Sequence, residues 1–530
     1  MSDMLGGGTP SVKSRAVIFG IGRRELLIGA AGVAAAGLMP KGALAQAKPR
    51  SGGTLRVAMP YNPAAIDPMT GRNLPDFNTL FALYDALIDF DPDSLALKPG
   101  LAKSWRWTDD KTLVLQLRDG VKFHDGTDFD AEAARFNIER YRTDKRSVVI
   151  ADLKPLASVA ATGKMEITIK LNQPYAPLPT VLTDRAGLMV SPTSIKNAKD
   201  GNVDRQGVGT GPFKFVSWQD NEKIAMVKNP GYWKKGLPYL DALELDIISE
   251  PTTVLRSTVA GETDMCLNLT TDLTPQAKQA QNIKWENDPS AVFFGMFINY
   301  AKKPTDDVRV RQALAWAVDR DELVTVLGGG YGDAGSGVLP KQMWGTDQAL
   351  FNYYKTDTAK AKALLAEAGY PNGIDLDSYG WPDQISVKRT ELVTAQLAKA
   401  GIRLHNTALS PVELITAFDV KKMGHLTIGP VSGRPDPSQE YEALFAKTAL
   451  YNAGGEETPE LRKLLDASVA DNDVAKRKVA LQAVQKYVTE QALYVTFYFS
   501  YGLWARSPRV QNFRFGLLER PKFNEVWMEA

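Results

Sequence analysis

The order of strand, turn and helix signals around residue 120 most constrains what this chain can fold into. Leu113, Leu115 and Leu117 recur at period two, so one face of this segment is apolar, as in a half-buried strand. Asp119–Gly120 follows, and since Asp and Gly tolerate positive backbone angles, the pair predicts a tight hairpin with "VKFH" as the returning strand. The run "AEAARFNIER" then has helical spacing. Strands that alternate with helices in this way predict an α/β fold.

The same alternation extends along the chain, and helices dominate its second half. We predict strands within 54–58, 103–124 and 212–248, and helices near 131–142, 252–260, 307–327, 358–368, 386–400 and 461–491. A chain of 530 residues is too long for one domain and suits two or three that share an interface.

Residues 1–47 have the pattern of a cleavable export signal. The pair Arg23–Arg24 precedes an apolar run of 14 residues, and small residues follow up to Ala45 and Ala47. Paired arginines in this position are typical of a twin-arginine signal, with cleavage after Ala45 or Ala47. A membrane anchor is the alternative, but the apolar run is shorter than the ~20 residues that a spanning helix needs. Because no cysteine lies near the cleavage site, we expect a soluble periplasmic protein without a lipid anchor.

The charge balance and the cysteine content exclude several classes of protein. The chain has 63 basic and 61 acidic residues, so it offers no basic field for nucleic acid. Its single cysteine, Cys266, rules out an internal disulfide and any cysteine-based zinc site. Phosphate-loop, zinc-protease and nucleophile-elbow motifs are absent from the sequence, and we expect no cofactor and no metal site.

His124–Asp125 is the strongest candidate for acid–base chemistry. Adjacent residues on a strand point to opposite faces, and Asp125–Gly126 predicts a turn, so we interpret the pair as structural. His405 and His425 have no catalytic partners in sequence. We therefore predict no catalytic residues, although an exported hydrolase stays open as an alternative.

The segment "LAKSWRWTDDKTLVLQLRDGVKFHDGTDF" resembles the signature of the family 5 extracellular solute-binding proteins, the dipeptide, oligopeptide and nickel receptors of ABC importers. The resemblance continues in order through 209–248, 310–324, 361–373 and 492–499. It implies an α/β bilobal periplasmic binding protein of class II, with an extra subdomain in lobe I and a ligand cleft between the lobes. It also implies a monomer, not an enzyme, that closes on a solute and delivers it to an inner-membrane ABC permease.

The same resemblance implies the domain boundaries. Lobe I would comprise 48–294, with a subdomain at about 82–199, lobe II would comprise 295–496, and the tail 497–530 would return to lobe I. Crossovers near "FFGMFINY" and "YVTFYF" would form the hinge. For the phenylalanines of these two segments we predict packing rather than ligand contact: Phe293, Phe297, Phe497 and Phe499.

Three segments stand where the family's cleft loops are expected: "MPYNPAAIDP", "DSYGWPDQIS" and "GPVSGRPDPSQEY". Their candidate ligand contacts are Tyr61, Asn62, Tyr379, Trp381, Asp383, Arg434 and Asp436. The aromatic rings offer stacking surfaces, the arginine could fork onto a carboxylate or phosphate, and the aspartates could accept from an amine or hydroxyl. Two structural alternatives stay open, a turn role for Asp436 before Pro437 and a packing role for Trp381.

The ligand is less constrained than the class. In dipeptide receptors an aspartate shortly before an Asp-Pro step binds the peptide amine, and here Gly433 stands at that place. The arginine that pairs the peptide carboxylate would fall where Gly380 and Trp381 stand. Both charged contacts are missing, and the ligand is predicted as a small polar organic solute, with peptides the leading class. An opine-like, sugar-like or modified amino-acid ligand is the alternative within the family, and a periplasmic peptide-holding chaperone is the alternative outside it.

Overall fold

A computed structural model describes residues 48–71 and 73–529 of the chain. The predicted export signal, including Arg23 and Arg24, lies outside the described residues. Among the residues that are described, no helix is long and apolar enough to cross a membrane.

Strands occur throughout the described chain, as the period-two pattern predicts. They are β1 Thr54–Met59, β2 Ile88–Phe90, β3 Leu97–Pro99, β4 Ala102–Asp109, β5 Thr112–Leu117, β6 Leu156–Gly163, β7 Glu166–Leu171, β8 Phe213–Gln219, β9 Lys223–Lys228, β10 Ala242–Ile247, β11 Met265–Cys266, β12 Lys284–Ile298, β13 Gly332–Ala334, β14 Ile374–Gly380, β15 Ile402–Ala408, β16 Leu426–Val431, β17 Tyr494–Arg506, β18 Val510–Gln511 and β19 Trp527–Met528.

Helices follow strands in both halves of the chain. They are α1 Leu74–Leu83, α2 Ala131–Thr143, α3 Leu178–Val181, α4 Pro192–Asn197, α5 Pro251–Ala260, α6 Thr274–Gln279, α7 Val308–Ala317, α8 Arg320–Val326, α9 Gln348–Phe351, α10 Thr358–Glu367, α11 Gln384–Lys399, α12 Pro411–Leu414, α13 Pro437–Phe445, α14 Pro459–Ala470 and α15 Val474–Glu490.

Aspartates begin many of these helices, because a carboxylate at the N-cap accepts a hydrogen bond from a backbone N–H that the helix leaves free. Asp130 accepts from the backbone of Ala133 at the start of α2, where the sequence predicts a helix. Caps also divide two of the long predicted helical stretches. Asp319 separates α7 from α8, and Asp473 separates α14 from α15.

The largest sheet has 11 strands in the order β15-β14-β16-β12-β17-β11-β1-β10-β9-β8, with β13 also paired to β17. The long strands β12 and β17 run antiparallel at its centre, from the pair Lys284–Arg506 to the pair Phe297–Tyr494. Their register shifts between Pro289 and Phe293, so the ladder is interrupted near its middle. The phenylalanines predicted to pack in these strands are buried, which confirms their packing role: Phe293, Phe297, Phe497 and Phe499.

A separate antiparallel sheet has the order β4-β5-β7-β6 and packs against α2. It encloses its own apolar core, to which Leu113, Leu115 and Leu117 contribute from β5. This sheet lies inside the range predicted for the subdomain.

The hairpin predicted at Asp119–Gly120 is wrong. The chain does turn there, with Gly120 at a φ of 74°, but "VKFH" forms no strand beside β5. Both edges of β5 are already paired, to β4 and to β7, so no edge is left for a returning strand. Val121 and Phe123 instead enter the core of the small sheet from a loop.

Candidate functional site

A cavity of about 1260 Å³ lies among parts of the chain that are distant in sequence. Its walls come from segments within 145–186, from 430–469, and from Leu518 and Arg520 near the C-terminus, with Phe77 of α1 at one side. Small-molecule sites have volumes of roughly 300–1,000 Å³, so this cavity has room for a ligand larger than a single amino acid.

Basic side chains outnumber acidic ones on the cavity wall, eight to five. Three of the basic side chains are exposed lysines: Lys145, Lys154 and Lys447. Another, Arg462, is already paired with carboxylates of its surroundings: Glu442, Glu457 and Asp466. Arg146 is exposed and pairs with Asp144 at 2.7 Å. The basic residues that remain on the wall are Arg185, Arg434 and Arg520, beside Asp152 and Asp184.

Arg434 is the one predicted ligand contact that lines this cavity. Its Nη1 is 3.8 Å from Oδ1 of Asp152, and 29% of its side chain is exposed. Burial by itself would lower the pKa of Arg434, but the charges of Asp152 and Glu440 outweigh burial and raise it. The same oxygen of Asp152 accepts a hydrogen bond of 2.9 Å from Nε2 of Gln439. Asp152 thus joins the segment 145–186 to the start of α13.

Arg520 and Arg185 both lie near the ring of Phe77. The guanidinium carbon of Arg520 is 4.4 Å from the centre of that ring, and that of Arg185 is 5.3 Å from it. Nη2 of Arg520 is 3.0 Å from Oδ2 of Asp184, and Nη1 of Arg185 donates to the carbonyl of Gly71 at 2.8 Å. Burial lowers the pKa of Arg520 although Asp184 opposes the shift.

Several polar atoms of this cluster are buried without a hydrogen-bond partner in the described part of the chain. They are Nε and Nη1 of Arg520, Nε of Arg185 and Oδ1 of Asp184. Leaving a buried charged donor unpaired costs more than an average hydrogen bond contributes, so such atoms favour a ligand that pairs them.

Glu440 belongs to α13, lies near Arg434 and is only 3% exposed. Its Oε1 has no hydrogen-bond partner among residues 48–71 and 73–529, and neither do the hydroxyls of Tyr441 and Tyr494. Burial raises the pKa of Glu440 to about 7, although the charge of Arg434 lowers it.

Asp436 stands two residues after Arg434 but does not line the cavity. It is 1% exposed and forms a two-pronged ion pair with Arg477 of α15, at 2.7 Å and 3.1 Å. It also caps α13 by accepting from the backbone of Ser438 at 3.0 Å. These contacts give Asp436 a structural role, in line with the alternative of a turn residue before Pro437. The ion pair with Arg477 is an additional contact that the sequence does not predict.

The loop after β1 is placed away from the cavity wall. Tyr61 is 58% exposed. Nδ2 of Asn62 donates to Asp220 at 3.1 Å, and its Oδ1 accepts from Nε1 of Trp218 at 3.3 Å. Asn62 therefore holds the hairpin of β8 and β9.

The end of β14 and the segment that follows it do not line the cavity either. Asp383 caps α11 by accepting from the backbone of Ser386 at 3.0 Å. The ring of Tyr379 covers Gly424, and the indole of Trp381 lies beside Gly429. As ligand contacts, all of the predicted residues stay predictions, and the structure brings only Arg434 to the large cavity.

Gly433, which the family resemblance places at the position of the amine-binding aspartate, is tightly enclosed by Ala291. A Cβ at this position would lie 2.2 Å from Cβ of Ala291 and 2.9 Å from its carbonyl oxygen. Because neither atom can withdraw without moving β12, this backbone admits no aspartate at residue 433.

His124 and Asp125 bind different partners. Nε2 of His124 lies 3.0 Å from the carbonyl of Gly211, and Nδ1 accepts from the backbone of Gly209 at 3.2 Å. Burial lowers the pKa of His124 to about 4, which keeps the ring neutral. Asp125 instead accepts from the hydroxyl of Ser191. The pair forms no acid–base relay and holds the loop before β8, as its structural interpretation predicts.

The residues that sequence reasoning missed are Asp152, Asp184, Arg185 and Arg520. They occur in "IADLKP", "LTDRAG" and "LLERPKF", where single charges beside loop residues are ordinary. Only the tertiary fold brings them together, so no local signal could have found them.

An α/β chain that encloses a large cavity between segments distant in sequence has the architecture of a bilobal binding protein. Residues 96–452 match the model of the family described as bacterial extracellular solute-binding proteins, family 5 Middle, and the chain belongs to this family.

Relatives and solved structures agree with this assignment. The chain is 26% identical over 457 residues to the glutathione-binding protein GsiB of Shigella flexneri serotype 5b (strain 8401), which covers 83% of this chain and 87% of that protein. It superposes with a TM-score of 0.79 on the periplasmic binding protein DppA of Helicobacter pylori in complex with the peptide STSA, at 24% identity over 91% of this chain and 99% of the other. The binding protein AgaA of A. tumefaciens R10, in complex with agropinic acid, gives a TM-score of 0.78 at 23% identity over 90% and 99%. The predicted bilobal α/β fold is confirmed.

Proposed function

We propose that this chain captures a small polar organic solute in the 1260 Å³ cavity by closure of its lobes and delivers it to an ABC permease of the inner membrane. The observation that carries the proposal is the cavity itself, whose charged wall comes from segments that precede β12 in the chain, lie between β12 and β17, and follow β17. Peptide-like solutes lead as the ligand class, since the similar proteins are named for glutathione and a peptide.

The lobe boundaries form part of this proposal: 48–294 with a subdomain at 82–199, then 295–496, then the tail 497–530. One core gathers residues from 69 to 189, and another gathers residues from 296 to 498. A third core contains residues from 55 to 526 and joins the two proposed lobes. The interrupted register of β12 and β17 near Pro289 supports a hinge at the crossover.

Contacts across the cavity support a closed arrangement. Asp152 accepts from Gln439 at 2.9 Å, and the backbone N–H of Ala176 donates to the carbonyl of Val469 at 2.8 Å. Both contacts join the proposed subdomain of lobe I to lobe II, so opening of the lobes would break them.

Export through Arg23–Arg24 to the periplasm, as a monomer, completes the proposal. It rests on the sequence pattern of residues 1–47 and on membership of a family of extracellular solute-binding proteins. An ABC permease partner requires that location.

Native mass spectrometry of the protein, purified from the periplasm of the organism that produces it, tests the function directly. We expect a mass that exceeds the mature monomer by one small molecule, which is released in acid. Purified protein that carries no solute but turns over a panel of hydrolysable substrates would contradict the proposal and favour an exported hydrolase. Micromolar binding to many unrelated unfolded segments would favour a chaperone instead.

A further inference from the structure

Two arginines of the cavity have buried N–H groups without a hydrogen-bond partner in the described part of the chain, and these groups indicate the charge of the ligand. Arg520 is 6% exposed and lines the cavity, yet its Nε and Nη1 donate to nothing among the described residues. Nε of Arg185 is unpaired in the same way. Both guanidiniums stack near Phe77, which limits their movement. The site therefore holds two preorganised cationic forks with free donors.

The nearby carboxylates do not neutralise this cluster. Oδ2 of Asp184 lies 3.0 Å from Arg520, and Asp152 lies 3.8 Å from Arg434. No carboxylate of residues 48–71 or 73–529 forms an ion pair with Arg185. The charges of Arg185 and Arg434 both act on Arg520 and disfavour its charged form. A further anion in the cavity would relieve this repulsion, and a further cation would increase it.

We propose that the ligand is an organic acid whose carboxylate binds between Arg185 and Arg520, an inference that rests on the proposed solute-binding function. A planar carboxylate matches the guanidinium fork and can pair two donors at once. Arg434 reaches the same cavity from lobe II and faces the anion when the lobes close. Oδ1 of Asp184 has no hydrogen-bond partner in the described part of the chain, and it accepts an N–H or O–H that the ligand carries near its carboxylate.

The position of this anion site differs from the places that family resemblance gives to the peptide contacts. Residue 433 cannot hold an aspartate because a Cβ there would meet Ala291, and Trp381 does not line the cavity. The cluster instead joins residues of the proposed subdomain to the C-terminal tail. A free α-amine is therefore not the group that this cavity recognises first.

Paired probe libraries test the charge of the ligand. One library contains N-acetylated tripeptides with free carboxylates, and the other contains the same tripeptides as C-terminal carboxamides. Gluconate and glucuronate, each paired with neutral glucose, extend the test to sugar acids. By native mass spectrometry and thermal-shift titration we expect the best acid to bind at least about tenfold more tightly than its neutral counterpart, because a charge-assisted bidentate contact is lost in the neutral form.

Variants assign the effect to the two arginines. Arg520→Gln and Arg185→Gln should each weaken binding of the best acid at least about tenfold, and Arg520→Lys should retain part of it because an ammonium keeps the charge but not the fork. Arg514→Gln is the matched control, since Arg514 lies in the same C-terminal tail, pairs with Asp93 at 2.9 Å and is outside the cavity. Circular dichroism verifies that each variant is folded. If Arg520→Gln unfolds, the affinity of Arg185→Gln for the best acid decides the test, because this substitution breaks no ion pair of the described residues.

Two results separate failure of this inference from failure of the function. Neutral probes that bind as tightly as acids, or arginine variants that bind acids like the parent, would overturn the inference and leave the solute-binding function intact. A protein that binds no probe of either charge, and carries no solute from its own periplasm, would overturn the function and the inference with it. If inorganic phosphate raised the melting temperature as much as the best acid does, the assignment to a carboxylate would be overturned.

Discussion

Substitution of Asp436 by asparagine should destabilise the protein and leave ligand affinity nearly unchanged. The carboxylate is 1% exposed, and its partner Arg477 is 5% exposed. The two are joined by hydrogen bonds of 2.7 Å and 3.1 Å. Removing one partner of a buried ion pair leaves the other charge uncompensated, at a cost of about 3–5 kcal/mol.

The helix cap adds little to this cost in the asparagine variant. Asn is nearly as good an N-cap as Asp, so the bond to the backbone of Ser438 survives. Asp436→Ala should lose the cap as well, for up to about 1–2 kcal/mol more.

Urea unfolding followed by tryptophan fluorescence measures the effect. The ring of Trp344 lies 5.2 Å from the guanidinium carbon of Arg477 and reports on the pair itself. With a slope of about 3 kcal/mol per molar urea, a loss of 3–5 kcal/mol lowers the midpoint by about 1–1.7 M. Affinity for the co-purified ligand, measured at low urea, should stay within about threefold.

Asp383→Asn is the matched control, because Asp383 also caps a helix but has no buried arginine partner. Its free energy of unfolding should change by a few tenths of a kcal/mol at most, which moves the urea midpoint by about 0.1 M. If Asp436→Asn instead lowered affinity more than tenfold with an unchanged midpoint, Asp436 would be a ligand contact and the structural interpretation would be wrong.

Three further expectations follow from the structure, and a fourth follows from the sequence pattern of residues 1–47. Burial raises the pKa of Glu440 from an ordinary 4.5 to about 7, so the folded state holds a proton that the unfolded state loses, and a cost of about 3 kcal/mol develops as pH rises from ~4.5 to ~7. Glu440→Gln should therefore be more stable than the parent at pH 8 but not at pH 4 in chemical denaturation, and equal pH profiles would contradict this. Arg434→Ala should weaken binding of the co-purified ligand at least about thirtyfold in titration calorimetry, with only partial recovery in Arg434→Lys, whereas parental affinity in both would remove Arg434 from the site. Arg23→Lys combined with Arg24→Lys should leave precursor in the cytoplasm by fractionation and immunoblot, and a normal periplasmic yield would mean that the general secretory route suffices. His124→Asn should lower the melting temperature modestly and leave affinity within about threefold, while loss of a measurable catalytic rate in this variant would contradict a binding function.

Local chemistry determined what could be predicted from the sequence. Period-two leucines predicted β5, and the helical spacing of "AEAARFNIER" predicted α2, because the apolar face of a strand or helix is decided by neighbours in the chain. His124 was interpreted correctly for the same reason, since the turn at Asp125–Gly126 is a local feature. Family membership also followed from local segments, since their order and spacing are properties of the sequence.

Tertiary structure decided what depends on distant partners. The returning strand after Gly120 does not form because β4 and β7 occupy both edges of β5, and pairing between strands is not encoded in either strand alone. Asp436 is removed from the cavity by Arg477, although its sequence setting is the same as that of an exposed cap. The proposed anion site also depends on distant partners, because Arg520 contacts Asp184 only when the C-terminal tail packs against the segment around residue 184. Burial there leaves two N–H groups of Arg520 without a hydrogen-bond partner among the described residues.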